Sequence, residues 1–104
     1  MIKLEHDEQF EELIKLNDLV VLDFFANWCP PCKALTPQLE ELSQKYTNVT
    51  FIKIDVDYFE EIAQSHKIDA MPTILFYKSG VLLSDNVVGG GQITKIEEII
   101  KQYL

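Results

Sequence analysis

Residues 19–46 read LVVLDFFANWCPPCKALTPQLEELSQKY, and a change of period within them decides the fold. Leu19 to Ala26 are almost continuously apolar, β-branched or aromatic, as in a strand buried on both faces of a sheet. Asp23 is the one charge inside that run. From Pro30 to Tyr46 the period changes, and Leu35, Leu39, Leu42 and Tyr46 recur at helical spacing. Pro30 and Pro31 suit a first helical turn, where amides have no intrahelical carbonyl to reach. Pro37 lies inside the helix and is expected to kink it by removing one bond and crowding the carbonyl of Lys33. The junction between strand and helix holds both cysteines of the chain, Cys29 and Cys32, with a proline in each gap position.

Outward from this stretch the patterns alternate. Ile2 to Glu5 read as a short edge strand, and in DEQFEELIKL (7–16) Phe10, Leu13, Ile14 and Leu16 share one face of a surface helix. Acids fill its first turn, where the helix dipole favours them. VTFIKIDVD (49–57) is the next strand and YFEEIAQSHK (58–67) a short helix. TILFYKS (73–79) and VLLSDNVVG (81–89), split by Gly80, form an antiparallel hairpin. ITKIEEIIKQYL (93–104) places Ile93, Ile96, Ile99, Ile100 and Tyr103 on one face of a terminal helix. The order βαβαβαββα predicts an α/β class with a mixed central sheet covered by helices on both faces. At 104 residues, without repeats or low-complexity tracts, the chain suits one domain over 1–104.

Seventeen acids against nine bases give a net charge of −8, which argues against a surface that tracks nucleic-acid phosphates. No run approaches the ~18 apolar residues of a membrane span. MIKLEHDEQF turns charged by Glu5 and lacks the apolar centre of a signal peptide, so a cytoplasmic location is expected. In a reducing compartment a close cysteine pair is more often redox-active or metal-bound than a structural staple, which here would close only a tiny loop.

A buried strand ending at a helix start is where open α/β sheets build their sites. A thiolate at Cys29 would face the positive end of the helix dipole, which favours that nucleophilic form. Cys32, three residues on, can close with it into a disulfide without backbone motion, as two-electron exchange requires. Two other readings stand beside this one. The cysteines could be small buried hydrophobes that happen to be close, or they could hold metal. Zinc needs four ligands, and the chain has neither a second CxxC nor paired histidines; His6 and His66 read as surface or helix-flanking residues. An iron–sulfur cluster shared between two chains would need external thiols.

The run FFANWCPPCK, the IDVD strand, MPT at 71–73, the Gly80 hairpin and the VVGG segment resemble, in order and spacing, the thioredoxin family over essentially the whole chain. The length and N-terminus are most similar to its compact cytosolic members. The family usually has glycine where this chain has Pro30, and the WCPPC form resembles tryparedoxins and nucleoredoxins. The resemblance implies a thioredoxin-like fold and a protein-disulfide reductase, with Cys29 as attacking and Cys32 as resolving cysteine. Asp23 matches the buried carboxylate beneath the pair, and a carboxylate in an apolar strand is expected to hold its proton to higher pH and to relay it. Lys53 matches a lysine near that carboxylate, with a solvated strand-end charge as its other reading. Pro72 matches the family's cis-proline, although an X-Pro bond alone says only that cis is accessible. Met71, Pro72 and Thr73 would then line a substrate groove with Trp28, Gly89 and Gly90, open to backbone pairing with an extended segment.

The resemblance implies no bound cofactor and no metal, only a reversible Cys29–Cys32 disulfide. Electrons would come from a separate thioredoxin reductase-type donor, an NADPH-dependent flavoprotein. Substrates would be disulfide-containing proteins such as peroxiredoxins, methionine sulfoxide reductases or ribonucleotide reductase, met by a monomer with no nucleic-acid or membrane partner. Other readings are an oxidase or isomerase of the protein-disulfide-isomerase type, and a binding module built on the same fold. Pro30 and Pro31 remove two amides between the cysteines, so only amides from Cys32 onward can reach Cys29. Pro30 also precedes a proline, which disfavours the helical conformation, and is expected to raise the reduction potential.

Overall fold

A computed structural model describes all 104 residues. The elements follow the expected order: β1 (Ile2–Lys3), a 3-10 turn (Asp7–Gln9) running into α1 (Phe10–Leu13), β2 (Leu19–Phe25), α2 (Pro30–Lys45), β3 (Thr50–Asp55), α3 (Glu60–Ser65), β4 (Thr73–Lys78), β5 (Val81–Val88) and α4 (Ile93–Tyr103). The five strands form one sheet in the order β1-β3-β2-β4-β5. β1, β3 and β2 run parallel, whereas β4 is antiparallel to both β2 and β5. This is the mixed α/β sheet of the thioredoxin-like fold expected from the sequence.

β2 lies at the centre and all seven of its residues are buried, as a nearly continuous apolar run requires. From Leu19 to Phe24 its side chains alternate between two cores. Val20, Leu22 and Phe24 join Phe10 and Ile14 beside α1, and Phe59 and Ala63 beside α3. Leu19 and Val21 join Leu35, Leu39 and Leu42 of α2 and Ile96, Ile99 and Ile100 of α4. Helices therefore cover both faces. By the same alternation Asp23 belongs to the face that carries α2.

Several elements are shorter than their patterns suggest, among them β3, which spans Thr50–Asp55 rather than 49–57. β1 ends at Lys3 rather than Glu5. The helix expected over 7–16 opens as a 3-10 turn and unwinds after Leu13: Lys15 and Leu16 donate to Glu12 and Leu13, three residues back. Leu16 is consequently 55% exposed and does not share the buried face of Phe10 and Ile14. The helix expected over 58–67 starts at Glu60, because Asp55 Oδ1 accepts the amides of Asp57 and Tyr58 and spends those residues in a turn. α2 continues across Pro37 to Lys45.

Candidate redox site

The last residues of β2 deliver Cys29 to the N-cap of α2 with an extended backbone, φ −100° and ψ 104°. Pro30 and Pro31 occupy the first helical turn, so the first amide able to turn back is that of Cys32, and it donates to Cys29 Sγ at 3.2 Å. The two sulfurs are joined in a disulfide, with the Cα atoms 5.3 Å apart. Both cysteines are buried in the apolar cluster that also contains Ala26 and Val56, and Met71 packs against it. The helix start thus presents a donor to Cys29 in the geometry that would stabilise negative charge on that sulfur.

Around the pair, residues from distant segments converge. The Met71–Pro72 bond is cis. Pro72 O accepts the amide of Gly89 at 2.9 Å, which ties the end of β5 to the start of β4. Thr73, the first residue of β4, is buried, and its hydroxyl donates to Ala70 O at 2.5 Å. The backbone N–H and C=O of Met71 make no hydrogen bond within the chain. Gly90 closes on the helix start: a Cβ at this position would lie 2.9 Å from Pro31 Cβ. Trp28 is 65% exposed, and its indole N–H donates to Asp57 Oδ2 at 2.8 Å. Asn27 likewise donates to Asp55 Oδ2 at 3.2 Å.

Asp23 is 1% exposed, and neither of its carboxylate oxygens has a hydrogen-bond partner. Burial pushes its pKa up to about 7, against a smaller opposing pull from Lys53. Lys53 sits opposite Asp23 in the parallel register of β2 and β3, but it forms no ion pair there. Its Nζ instead lies over the Phe25 ring, 4.7 Å from the centroid. That arrangement keeps a cation near the carboxylate without a direct bond.

Asp55 and Asp57 are the site residues that sequence reasoning did not single out. Aspartates alternating at a strand end are a signal for an Asx turn, yet their bonds to Asn27 and Trp28 span 28 and 29 residues. His66 follows α3 as a helix-flanking histidine, but it is not simply solvated. Its ring lies against Phe10, Phe24 and Tyr77. Nδ1 reaches Ile62 O, an acceptor only, so it carries a proton, and in the neutral ring Nε2 then accepts the Tyr77 hydroxyl, 2.7 Å away. No group of three or more His, Cys, Asp or Glu side chains is placed to hold a metal ion.

The thioredoxin family model matches residues 1–102. Thioredoxin-1 of Schizosaccharomyces pombe is 42% identical over 105 residues, covering 100% of both chains. Among solved structures, Plasmodium falciparum thioredoxin superposes with a TM-score of 0.91 at 36% identity over 100% of both chains. A structure concerned with thiol resolution in a yeast mitochondrial 1-Cys peroxiredoxin through the glutathione and thioredoxin systems matches with a TM-score of 0.89. Its identity is 40%, and the match covers 98% of this chain and 94% of the other.

Proposed function

The chain belongs to the thioredoxin family and is a dithiol–disulfide oxidoreductase, and we propose from this premise that Cys29 attacks substrate disulfides and Cys32 resolves them. In the reduced protein the Cys29 thiolate attacks one sulfur of the substrate disulfide, forms a mixed disulfide and expels the other sulfur as thiolate. The Cys32 thiolate then attacks Cys29 Sγ, closes the Cys29–Cys32 bond and releases the second substrate sulfur. Two electrons pass to the substrate, and the two protons lost by the cysteines end on its thiols. Asp23, on the sheet face below α2 and with a pKa raised to about 7, takes the Cys32 proton as that step proceeds. Lys53 modulates it from the neighbouring strand. Trp28, Met71, Pro72, Thr73, Gly89 and Gly90 form the docking edge, and the unpaired amide and carbonyl of Met71 bond an extended substrate backbone. Pro30 and Pro31 tune the pair by withholding two amides.

The observation that carries this reading is the bonded cysteine pair at the start of α2, with the Cys32 amide directed at Cys29 Sγ. The chain acts as one domain over 1–104 and as a monomer. It draws electrons from an NADPH-dependent flavoprotein of the thioredoxin reductase type. The solved neighbour tied to a peroxiredoxin supports a peroxiredoxin-type protein disulfide as substrate, with methionine sulfoxide reductases and ribonucleotide reductase as further candidates. No helix is long and apolar enough to cross a membrane, and we assign the protein to the cytoplasm. Reduction of insulin by the wild type and by Cys29→Ser tests the central assignment. Activity in the wild type that vanishes in the variant is expected, and activity surviving the substitution refutes the nucleophile.

A further inference from the structure

Between Ile54 and Tyr77 the charged side chains are Asp55, Asp57, Glu60, Glu61 and Asp69, with Lys67 the lone lysine. Asp55 and Asp57 are engaged by Asn27 and Trp28. Glu60 and Asp69 are exposed, and neither takes part in the three ion pairs of the molecule. Both line a groove of about 380 Å³ whose apolar lining is Val56, Ala63, Ile68 and Met71. Val56 is buried in the apolar cluster that holds both cysteines and Met71 packs against that cluster, so the groove shares its floor with the core beneath the redox site. Met71 also supplies the unpaired backbone groups of the docking edge.

An apolar floor ending in unpaired carboxylates suits one kind of side chain: a long alkyl stem with a cationic head. We infer that this groove selects disulfide substrates carrying a lysine or arginine within a few residues of the attacked cysteine. The stem lies over Val56, Ala63, Ile68 and Met71 while the head reaches Glu60 and Asp69. An extended segment advances about 3.3 Å per residue, so a residue near the cysteine can reach a groove that shares Met71 with the docking edge. The inference rests on the reading of Cys29 as nucleophile and Met71–Thr73 as docking edge. Because both carboxylates are solvent-facing, the selection acts mainly on association rate and weakens with salt.

Two peptides test it, each with one cysteine capped as a mixed disulfide with 2-mercaptoethanol and identical except for Lys or Glu two residues to either side. The second-order rate of oxidation of the pre-reduced protein is measured at ~20 mM and ~300 mM salt. The Lys peptide is expected to react about five-fold faster than the Glu peptide at low salt, as two exposed ion pairs imply. That ratio should fall toward one at high salt and in Glu60→Gln/Asp69→Asn. Glu8→Gln/Glu98→Gln removes the same charge outside the groove and should keep the preference. Equal rates for the two peptides overturn the inference, as does a ratio undiminished in Glu60→Gln/Asp69→Asn or equally diminished in the control variant. Hydroxyethyl disulfide, which is uncharged, separates the two levels. Wild-type protein that reduces it without discriminating the peptides sinks only the groove, while failure to reduce any disulfide sinks the oxidoreductase reading and the groove with it.

Discussion

Every other side chain of the central strand is apolar, so the Asp23 carboxylate lies where ionisation has no solvent and no hydrogen-bond donor to compensate it. Its folded-state pKa of about 7 stands above the unfolded value of 3.8. Between those two pH values the unfolded chain binds fewer protons than the folded one, so stability falls as pH rises from about 4 to about 7 and is level above. The shift corresponds to up to about 4 kcal/mol. Asp23→Asn removes this loss. Urea unfolding of the oxidised proteins should show the variant gaining on the wild type across that window, and a difference independent of pH would contradict the assignment. The neighbouring Pro30 poses a different question. At the first position of α2, followed by another proline, it holds a helical conformation that its successor disfavours. Opening the disulfide frees it to relax, which favours the dithiol. Pro30→Gly should therefore lower the reduction potential against a glutathione buffer, by roughly 30 mV for each 1.4 kcal/mol of strain removed. An equal or higher potential in the variant would reverse the sign of the argument.

At the scale of elements, the site is a meeting of ends. The C-terminus of β2, the N-terminus of α2, the start of β4 and the end of β5 reach one edge, and Gly90 lets the last of these touch Pro31. An alanine there would place its Cβ inside the 2.9 Å contact with the proline ring. Neither partner can yield cheaply, since Pro31 is held in the first turn of α2. Gly90→Ala should cost about 1–3 kcal/mol and push the 88–91 segment away from the docking edge. Chemical denaturation together with insulin reduction checks this, and a variant as stable and as active as the wild type would show that the loop moves freely. The shortened α1 and α3 belong to this scale too. Their apolar patterns ran on through Leu16 and Tyr58, but backbone amides there had closer acceptors, in 3-10 turns and at Asp55 Oδ1.

Across the whole molecule, a single sheet separates two cores that share no side chain, one beneath α1 and α3 and the other beneath α2 and α4. Ile52 is fully buried in the first and Ile100 in the second. Ile52→Val and Ile100→Val should each cost about 0.5–1.5 kcal/mol. Their double variant should lose the sum to within about 0.5 kcal/mol, because no contact couples them directly. A larger discrepancy in urea midpoints at constant m-value would mean that the sheet transmits strain between its faces.

Element order, the buried central strand and the cysteine pair at a helix start were legible in the sequence because each is a local property. A change of period, a proline in a first turn and two thiols three residues apart are written within a few neighbouring positions. The family likeness was legible for the same reason, as a succession of short motifs. What only the tertiary structure decided are the long-range meetings: the Trp28 indole on Asp57, Gly90 against Pro31, Lys53 over Phe25 rather than paired with Asp23, and Glu60 and Asp69 on one groove. These depend on strand order, which sets β3 and β4 on either side of β2 and so brings segments 55–71 and 88–91 to its end. Strand order is settled by the burial of both sheet faces at once, a condition that no local stretch of chain encodes.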